Sequence, residues 1–321
     1  MIKKISFREA FGKELLEIGA KNPNVVVLVA DVSSSVKTDY FAEKFPERFF
    51  NLGIQEAGMV DTAVGFALAG MVPFVNTFAG LYLRALEQIR TCVAYARTNV
   101  KIMGGYAGLS DFKDGPTHHS IVDVAVMRAM PNILVVAPAD ATEVRKLLPL
   151  VAEYDGPVYM RISRAETPRV FDEGHKVKIG KGVLVEDGSD LTLIGNGVML
   201  YRCIEAAKIL SKEGISCRVI NIHTIKPLDV PLIKRAVEET GAVVCAEEHS
   251  IIGGLGSAVA ETLGDTNPVP FERIGIADTF TETSLDFESL LDHYGMGVND
   301  IVKAAKRALQ RKEKVESGSK V

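Results

Sequence analysis

Short apolar runs alternate with helical patterns along the first half of the chain. The apolar runs, rich in Val and Ile, predict buried strands at residues 25–31, 72–78, 99–105 and 132–138. Patterns of helical period predict helices close to the first residue and at 55–69, 80–97, 119–129 and 140–153. Strands that alternate with helices in this way predict βαβ units and a parallel sheet that is covered on both faces.

A second series of the same kind follows an irregular segment. From about residue 165 to 188 the chain is rich in Pro, Gly and charged residues, which is typical of a linker. After it, strands are predicted at 191–197, 217–223 and 242–248, and helices at 199–214, 230–239, 256–264 and 298–312, before a polar end that we expect to be frayed. The prediction is therefore two doubly wound α/β domains, residues 1–172 and 188–321.

Composition and charge argue against a nucleic-acid-binding or a membrane protein. The 321 residues are 47% hydrophobic and 24% charged, with a formal net charge of -4, so nothing predicts a basic surface for nucleic acid. No apolar run is long enough for a signal peptide or a membrane span, and we expect a cytoplasmic protein with no membrane partner. The cysteines lie in apolar runs, which predicts buried, reduced thiols: Cys92, Cys203, Cys217 and Cys245.

The segment from Phe50 to Met59 holds a single acidic residue, Glu56, after a glycine turn and at the start of a small-residue helix. The helix N-terminus favours a carboxylate, whereas apolar burial favours the neutral acid, so Glu56 is a candidate general acid or base. The plainer interpretation is a first-turn glutamate that only complements the helix dipole.

Asp114-Gly115-Pro116-Thr117-His118-His119 follows a predicted strand and an irregular loop. It should lie at the carboxyl edge of the parallel sheet, where ligands bind in open α/β folds. Asp114 and His118 are therefore candidates for substrate binding. The adjacent histidines have no third ligand at useful spacing, so we predict no metal site in this chain.

Weaker candidates lie at other strand ends. The segment from Asn76 to Tyr82 could offer an aromatic or aliphatic wall, or be ordinary core. Arg164, just past the apolar strand at 158–163, could bind an anionic group with its guanidinium fork. The glycine clusters at 195–197 and 253–256 lack the rest of a nucleotide-binding motif and are interpreted as tight turns.

Taken in order, these segments resemble the transketolase family over nearly the whole chain. Gly53-Ile54-Gln55-Glu56 resembles the family's Gly-Ile-x-Glu, and Asp-Gly-Pro-Thr-His at 114–118 matches its motif without change. Ala30-Asp31-Val32-Ser33-Ser34-Ser35 is similar to its Ala-Asp-Leu-x-x-Ser, and 131–140 to its Pro-Asn…Pro-Ala-Asp. The expected fold is then a pyrimidine-binding domain followed by a transketolase C-terminal domain.

The resemblance implies a role for each matching residue. Glu56 would hold a proton on the pyrimidine of thiamine diphosphate, which favours the imino tautomer whose nitrogen removes the C2 proton. Asp31 would line the cofactor site, and His118 and Asp114 would bind sugar hydroxyls, with His118 also catalytic. Three further residues fall where the family holds a sugar phosphate: Arg8, Ser35 and Arg164.

Two departures from the family pattern bear on the substrate. Tyr106 stands where the family usually has a phosphate-binding His, and residues 110–113, Ser-Asp-Phe-Lys, differ from its Gly-Val-Gly-Glu. Leu81 stands where a Phe usually stacks on the pyrimidine, so Phe78, Leu81 and Tyr82 are the candidates for that wall. These departures leave the cofactor assignment unchanged but point away from the usual pentose phosphates as substrates.

A missing motif implies a partner. The chain has no Gly-Asp-Gly followed by Asn, the motif with which this superfamily holds a divalent ion and the diphosphate. The resemblance therefore implies an N-terminal subunit that holds Mg²⁺ or Ca²⁺, and an α₂β₂ tetramer acting on sugar phosphates.

Three alternatives stay open. A 1-deoxyxylulose-5-phosphate synthase would have Gln in place of Pro116 and Ala-Glu-Gln-His around Glu56. The β subunit of a 2-oxo-acid dehydrogenase shares the two-domain plan but not Asp-Gly-Pro-Thr-His. A non-catalytic scaffold subunit would not need an acid at Glu56.

Overall fold

The computed structural model describes residues 4–265 and 268–318, and the strands within these ranges form sheets of seven, five and two strands. In chain order the strands are β1 (Lys4–Ser6), β2 (Val25–Val29), β3 (Phe49–Asn51), β4 (Val72–Phe78), β5 (Lys101–Gly105), β6 (Leu134–Val136), β7 (Val158–Ile162), β8 (Glu166–Pro168), β9 (Val183–Glu186), β10 (Leu191–Gly195), β11 (Cys217–Asn221), β12 (Thr224–Lys226), β13 (Val243–Ser250) and β14 (Phe271–Ile276).

The α-helices alternate with these strands. They are α1 (Phe7–Lys21), α2 (Ser33–Val36), α3 (Asp39–Lys44), α4 (Glu56–Leu68), α5 (Leu86–Gln88), α6 (Asp123–Ala129), α7 (Ala141–Glu153), α8 (Met199–Lys212), α9 (Val230–Thr240), α10 (Leu255–Gly264), α11 (Phe287–His293) and α12 (Val298–Gly318). Short 3₁₀-helices cover Pro46–Arg48 and Ala79–Ala85, and a π-helix covers Ile89–Tyr95.

The large sheet has the strand order β12-β6-β7-β5-β4-β2-β3, and the smaller one the order β14-β13-β10-β11-β9. Neighbours are parallel except at the edges, where β12 and β9 run antiparallel to their partners. The central strands β2, β5, β7 and β10 are buried at every position, as strands covered on both faces must be. The predicted pair of doubly wound α/β domains is confirmed.

The two halves of the chain pack as one body. One apolar cluster runs from Phe7 and Val27 in the first domain to Leu193 and Leu291 in the second, and another runs from Leu28 to Ile220. Strand β12 comes from the second half of the chain yet pairs with β6 of the first. The large sheet is therefore completed by residues beyond the predicted domain boundary.

Several predicted elements differ in detail. The segment 80–97 is not a regular helix but passes through 3₁₀, α and π turns, beginning where the Tyr82 hydroxyl donates to the Val75 and Met103 carbonyls of the sheet. The helix predicted at 119–129 begins only at Asp123, because Ser120 forms a bridge to Gly108 and the His119 ring is buried.

The first part of the predicted linker, up to Phe171, is packed against the first domain. Strand β8 pairs with β1, and the backbone amides of Val170 and Phe171 donate to the buried carboxylate of Asp140 at 2.8 Å. Helix α12 continues through most of the polar end that was expected to be frayed, and residues 319–321 lie outside the described ranges. Cys203, Cys217 and Cys245 are buried as predicted, whereas Cys92 is only partly buried.

Candidate active site at the carboxyl edge of the large sheet

Strand ends bring the predicted site residues to one edge of the large sheet. Asp31, Phe78, Tyr106 and Arg164 each end or closely follow one of β2, β4, β5 and β7, which are neighbours in the sheet. The carboxyl ends of parallel strands share an edge, and ligands bind there in open α/β sheets.

Glu56 is the first residue of α4 and is buried, with 3% of its surface exposed. Its carboxylate accepts hydrogen bonds from Arg84 Nη1 at 3.2 and 3.5 Å, and Arg84 is its one such partner in the described part of the chain. The Arg84 side chain is 58% exposed. A buried carboxylate whose partner lies mostly in solvent can exchange that partner for a ligand atom, so the site suits a ring nitrogen that carries a proton.

A second polar pair adjoins the turn that leads to Glu56. The Asn51 amide donates to Asp31 Oδ1 at 3.0 Å, while its oxygen accepts from the backbone amides of Asp31 at 3.1 Å and Gly53 at 3.0 Å. Asp31 has the left-handed backbone angle φ 60°, and both side chains are exposed. The pair thus fixes an exposed carboxylate near the start of the Glu56 segment.

Aromatic and aliphatic side chains form a wall at this edge. The Phe78 ring stacks on the Tyr106 ring with 4.1 Å between centroids, and the His118 ring lies 5.9 Å from Phe78. Leu81 packs against the same group and stays partly exposed. Tyr82 does not belong to the wall, because it is only 1% exposed and its hydroxyl is bonded to the sheet backbone.

The residues predicted to bind an anion come together around Tyr106. Arg8 donates to the Ser35 carbonyl at 2.8 Å and to the Tyr106 hydroxyl at 2.9 Å. The guanidinium groups of Arg8 and Arg164 lie 5.2 and 5.0 Å from the centre of the Tyr106 ring. Arg164 also forms an ion pair with the fully buried Asp111, so part of its charge is already compensated.

The Asp114–His118 motif lies beside this cluster. The Asp114 side chain is exposed and His118 is half-buried, with the Thr117 hydroxyl 3.0 Å from its Nδ1. Burial, and then the nearby Asp114 carboxylate, raises the pKa of Asp111, while Arg164 opposes the shift. The two candidates for hydroxyl binding, Asp114 and His118, thus lie in the same loop as Asp111, which pairs with the candidate anion ligand Arg164.

Three residues of the site were missed by sequence reasoning. Arg84 lies in a segment whose helix type was not foreseen, and Asp111 was noted only as part of a divergent loop. Asn51 stands two residues before a glycine turn, a position where Asn commonly caps the local backbone, and this signal could have identified it.

Within residues 4–265 and 268–318, no three His, Cys, Asp or Glu side chains are grouped as metal ligands. Among those residues, no helix combines the length and the apolar character that a membrane span requires.

Comparison with protein families gives a match over most of the chain. The family model for the transketolase pyrimidine-binding domain matches residues 3–169, and that for the transketolase C-terminal domain matches residues 180–301.

Curated relatives align along nearly the whole chain. A 6-deoxy-6-sulfo-D-fructose transketolase subunit of Clostridium sp. (strain MSTE9) is 37% identical over 95% of this chain and 95% of its own. An apulose-4-phosphate transketolase subunit of Phocaeicola vulgatus is 39% identical over 94% of this chain and 96% of its own. A 1-deoxy-D-xylulose-5-phosphate synthase of Desulfitobacterium hafniense is 35% identical over 98% of this chain, which spans 50% of that longer protein.

A solved structure has the same architecture. It is described as a split gene transketolase, inactive beta4 tetramer, and it is 43% identical with a TM-score of 0.88, over 97% of this chain and 100% of its own.

Proposed function

This chain belongs to the transketolase family, and on that premise we propose that it is the subunit of a two-chain transketolase that binds the pyrimidine of thiamine diphosphate. The observation that carries the proposal is Glu56, a carboxylate that is buried at a helix N-terminus and paired only with a largely exposed arginine among the described residues. A scaffold subunit would have no use for such a group, because a buried carboxylate with little compensation costs stability.

The residues at the sheet edge fit the cofactor. Glu56 would bind a nitrogen of the aminopyrimidine ring, Phe78 and Leu81 would form its apolar wall, and Asp31 would border the site. Bound thiamine diphosphate supplies the carbon nucleophile that takes up a two-carbon ketol unit, and the protein supplies orientation and charge. Glu56 holds the proton at the ring nitrogen, and the wall keeps water from that face of the ring.

The neighbouring groups suit a sugar that ends in an anion. His118 and Asp114 would bind hydroxyls, and the His118 ring lies 5.9 Å from the Phe78 ring of the wall, so its imidazole would also serve to transfer a proton. Arg8, Arg164 and Ser35 surround the place for the anionic end. Since the Tyr106 oxygen already accepts from Arg8, its own proton is left to donate to an anionic oxygen. The reaction is transfer of the ketol unit from a ketose phosphate to an aldose phosphate.

The partner we propose is an N-terminal transketolase subunit that holds the diphosphate and a Mg²⁺ or Ca²⁺ ion. Large apolar side chains are exposed on this domain: Ile54, two residues before Glu56, is 73% exposed, and Tyr95 is 83% exposed. Such side chains suit a large apolar interface, and an α₂β₂ tetramer would bury them.

Reconstitution tests the function and the assembly together. The chain is titrated with thiamine diphosphate and Mg²⁺ in a calorimeter, alone and with the N-terminal subunit, and two-carbon transfer is assayed over a panel of ketose phosphates. We expect stoichiometric cofactor binding and transfer only in the complex. Stoichiometric binding by this chain alone would refute the proposed assembly, and a cofactor-loaded complex without transfer would refute the function.

A second candidate is the reaction of a 1-deoxyxylulose-5-phosphate synthase, which the 35% identity to such an enzyme favours. Pro116 and the Gln55 before Glu56 count against it. The same complex, supplied with labelled pyruvate and an aldose phosphate, discriminates the two, because only the synthase reaction releases CO₂ from pyruvate.

A further inference from the structure

The loop of residues 106–120 is held by the C-terminal domain as well as by its own. Glu248, at the carboxyl end of β13, accepts a hydrogen bond from the Leu109 backbone amide at 2.7 Å. The two residues are 139 positions apart in the chain. Glu248 is 4% exposed, so this contact between domains is made in the interior.

The loop backbone is shaped to receive that carboxylate. Gly108 has the left-handed angle φ +65°, and a Cβ built on it would lie 2.2 Å from Glu248 Cδ. Only glycine tolerates both that angle and that approach. The carboxylate thus occupies the space that a side chain at residue 108 would need.

A second set of contacts holds the other part of the loop. The Thr281 hydroxyl lies 2.7 Å from His119 Nδ1, and the Ser284 amide donates to the Phe112 carbonyl at 2.7 Å. A Cβ on Gly115, at φ +81°, would meet the Thr283 methyl group at 2.5 Å. Contacts from the C-terminal domain therefore lie on both sides of residues 111–114.

We propose that the C-terminal domain is a positioning element of the sugar site, in which Glu248 and residues 281–284 fix the loop that carries Asp114 and His118. This inference rests on the proposed function, since that function assigns the two loop residues to the sugar. Glu248 does not touch the substrate and acts through the Leu109 amide.

The adjacent glutamate, Glu247, makes its hydrogen bonds within its own domain and serves as a comparison. Glu247 is equally buried, but its carboxylate accepts from the Leu255 and Gly256 amides at 2.7 and 2.8 Å and so caps α10. Burial raises the pKa of Glu248 to about 7, against the opposing charge of Arg161. Burying the Glu248 side chain therefore costs desolvation free energy. Such a cost is expected where a residue is kept for the position it gives to a neighbouring loop rather than for stability.

The experiment compares Glu248→Ala and Glu248→Gln with the control Glu247→Ala in the reconstituted complex. We expect Glu248→Ala to raise the sugar KM roughly tenfold with a smaller change in kcat, the size expected for losing one hydrogen bond to a charged group. Glu248→Gln keeps an acceptor for the Leu109 amide and should restore most of the KM. Glu247→Ala should lower the unfolding midpoint without changing the KM.

Hydrogen exchange of the amides in residues 106–120 gives a readout that does not depend on activity. We expect faster exchange at Leu109 in Glu248→Ala and the wild-type rate in Glu247→Ala. Equal changes of exchange and KM in both variants, or no change in Glu248→Ala, would overturn the proposal. If Glu248→Ala does not fold, Thr281→Val, which removes the contact to His119, is judged by the same two measurements. A wild-type complex that transfers no ketol unit would instead refute the proposed function, and exchange would still decide whether Glu248 fixes the loop.

Discussion

Two buried glutamates, Glu56 in the first domain and Glu248 in the second, differ in what compensates their charge. Both are less than 5% exposed. Glu56 is paired with the mostly exposed side chain of Arg84, whereas Glu248 accepts from the buried backbone amide of Leu109. Burial alone therefore does not distinguish the proposed acid, Glu56, from the proposed positioning residue, Glu248. The exposure of the partner does, because a partner that lies mostly in solvent can give way to a ligand atom.

The largest effect is expected at Glu56. Glu56→Gln should slow exchange of the cofactor C2 proton by about 10²–10⁴-fold, the usual loss when a positioned acid or base is removed. The free energy of unfolding should change little, because the amide can occupy the same space. Proton exchange in the reconstituted complex measures the effect.

A residue of the same helix gives the control. Asp61, exposed on α4, can be changed to Asn with no expected effect on C2 exchange. If Glu56→Gln exchanges at the wild-type rate, Glu56 is a helix-terminal residue without a catalytic role, and the distinction between the two glutamates is lost.

A large loss of stability is expected when Arg161, which contacts the Glu248 backbone, is replaced. Arg161 pairs with Asp123 at 2.7 Å and donates to the Ser120 and Glu248 carbonyls, and it is almost fully buried. Arg161→Met should lower the free energy of unfolding by about 3–5 kcal/mol, because it leaves the Asp123 carboxylate buried and unpaired.

The matched control is an exposed pair. Arg90 and Glu87 are 2.8 Å apart, with both side chains mostly in solvent. Arg90→Met should cost only ~0.5 kcal/mol in the same denaturant titration. If both variants lose a similar free energy of unfolding, the buried pair of Arg161 and Asp123 stabilises the protein no more than an exposed pair does.

The raised pKa of Glu248 should make the free energy of unfolding depend on pH. Burial, opposed by Arg161, Arg202 and the Leu109 amide, raises the pKa of Glu248 from 4.5 to about 7. The folded state then holds the proton more tightly than the unfolded chain does. The resulting stability is fully present below about pH 4.5 and is lost as pH rises through about 7.

Glu248→Gln removes this titration. The free energy of unfolding of the wild type minus that of Glu248→Gln should therefore fall by about 3 kcal/mol as pH rises from below 4.5 to above 7. Urea titrations at several pH values measure the difference. A difference that does not change over this range would show that Glu248 keeps its ordinary pKa and is solvated in the folded state.

Much of the fold followed from local patterns. Buried strands such as β2 and β6 are continuous apolar runs, and α7 and α9 are amphipathic helices, so these patterns identified them. The short edge strands β3 and β12 were not predicted, because three residues carry no period and their pairing depends on distant partners. The irregular segment 79–95 was missed for a similar reason, since its turns depend on contacts with the sheet.

The residues of the candidate site that lie in motifs or at strand ends could be predicted from the sequence. Residues at strand ends, such as Asp31 and Arg164, could be placed at one edge from topology alone. Arg84, Asp111 and Glu248 could not, because their importance lies in contacts across the chain that no local pattern records. Tyr82 was predicted as a candidate for the wall but belongs to the core. An aromatic residue that follows a strand can be either, and the sequence does not distinguish the two.

The smallest effect is expected at Tyr106, whose ring lies between Arg8 and Arg164 in the proposed anion site. A neutral hydroxyl gives a weaker hydrogen bond to a phosphate than a protonated imidazole, by roughly 1 kcal/mol. Asp111 further reduces the positive charge by pairing with Arg164. We therefore expect a weaker hold on the phosphate of xylulose 5-phosphate than a His at this position would give, and a preference for another ketose whose anionic end Lys113 can reach.

Tyr106→His should raise kcat/KM for xylulose 5-phosphate by about fivefold, the factor that corresponds to ~1 kcal/mol. Tyr106→Phe is the matched control, because it keeps the ring between Arg8 and Arg164 and its stacking on Phe78 but removes the hydroxyl. It should lower kcat/KM for the preferred substrate, since Arg8 loses an acceptor and the anion loses a donor. If the wild type already uses xylulose 5-phosphate efficiently and Tyr106→His gains nothing, the chain serves an ordinary pentose-phosphate enzyme. In that case the ring of Tyr106, which holds both arginines in place, matters more than its hydroxyl.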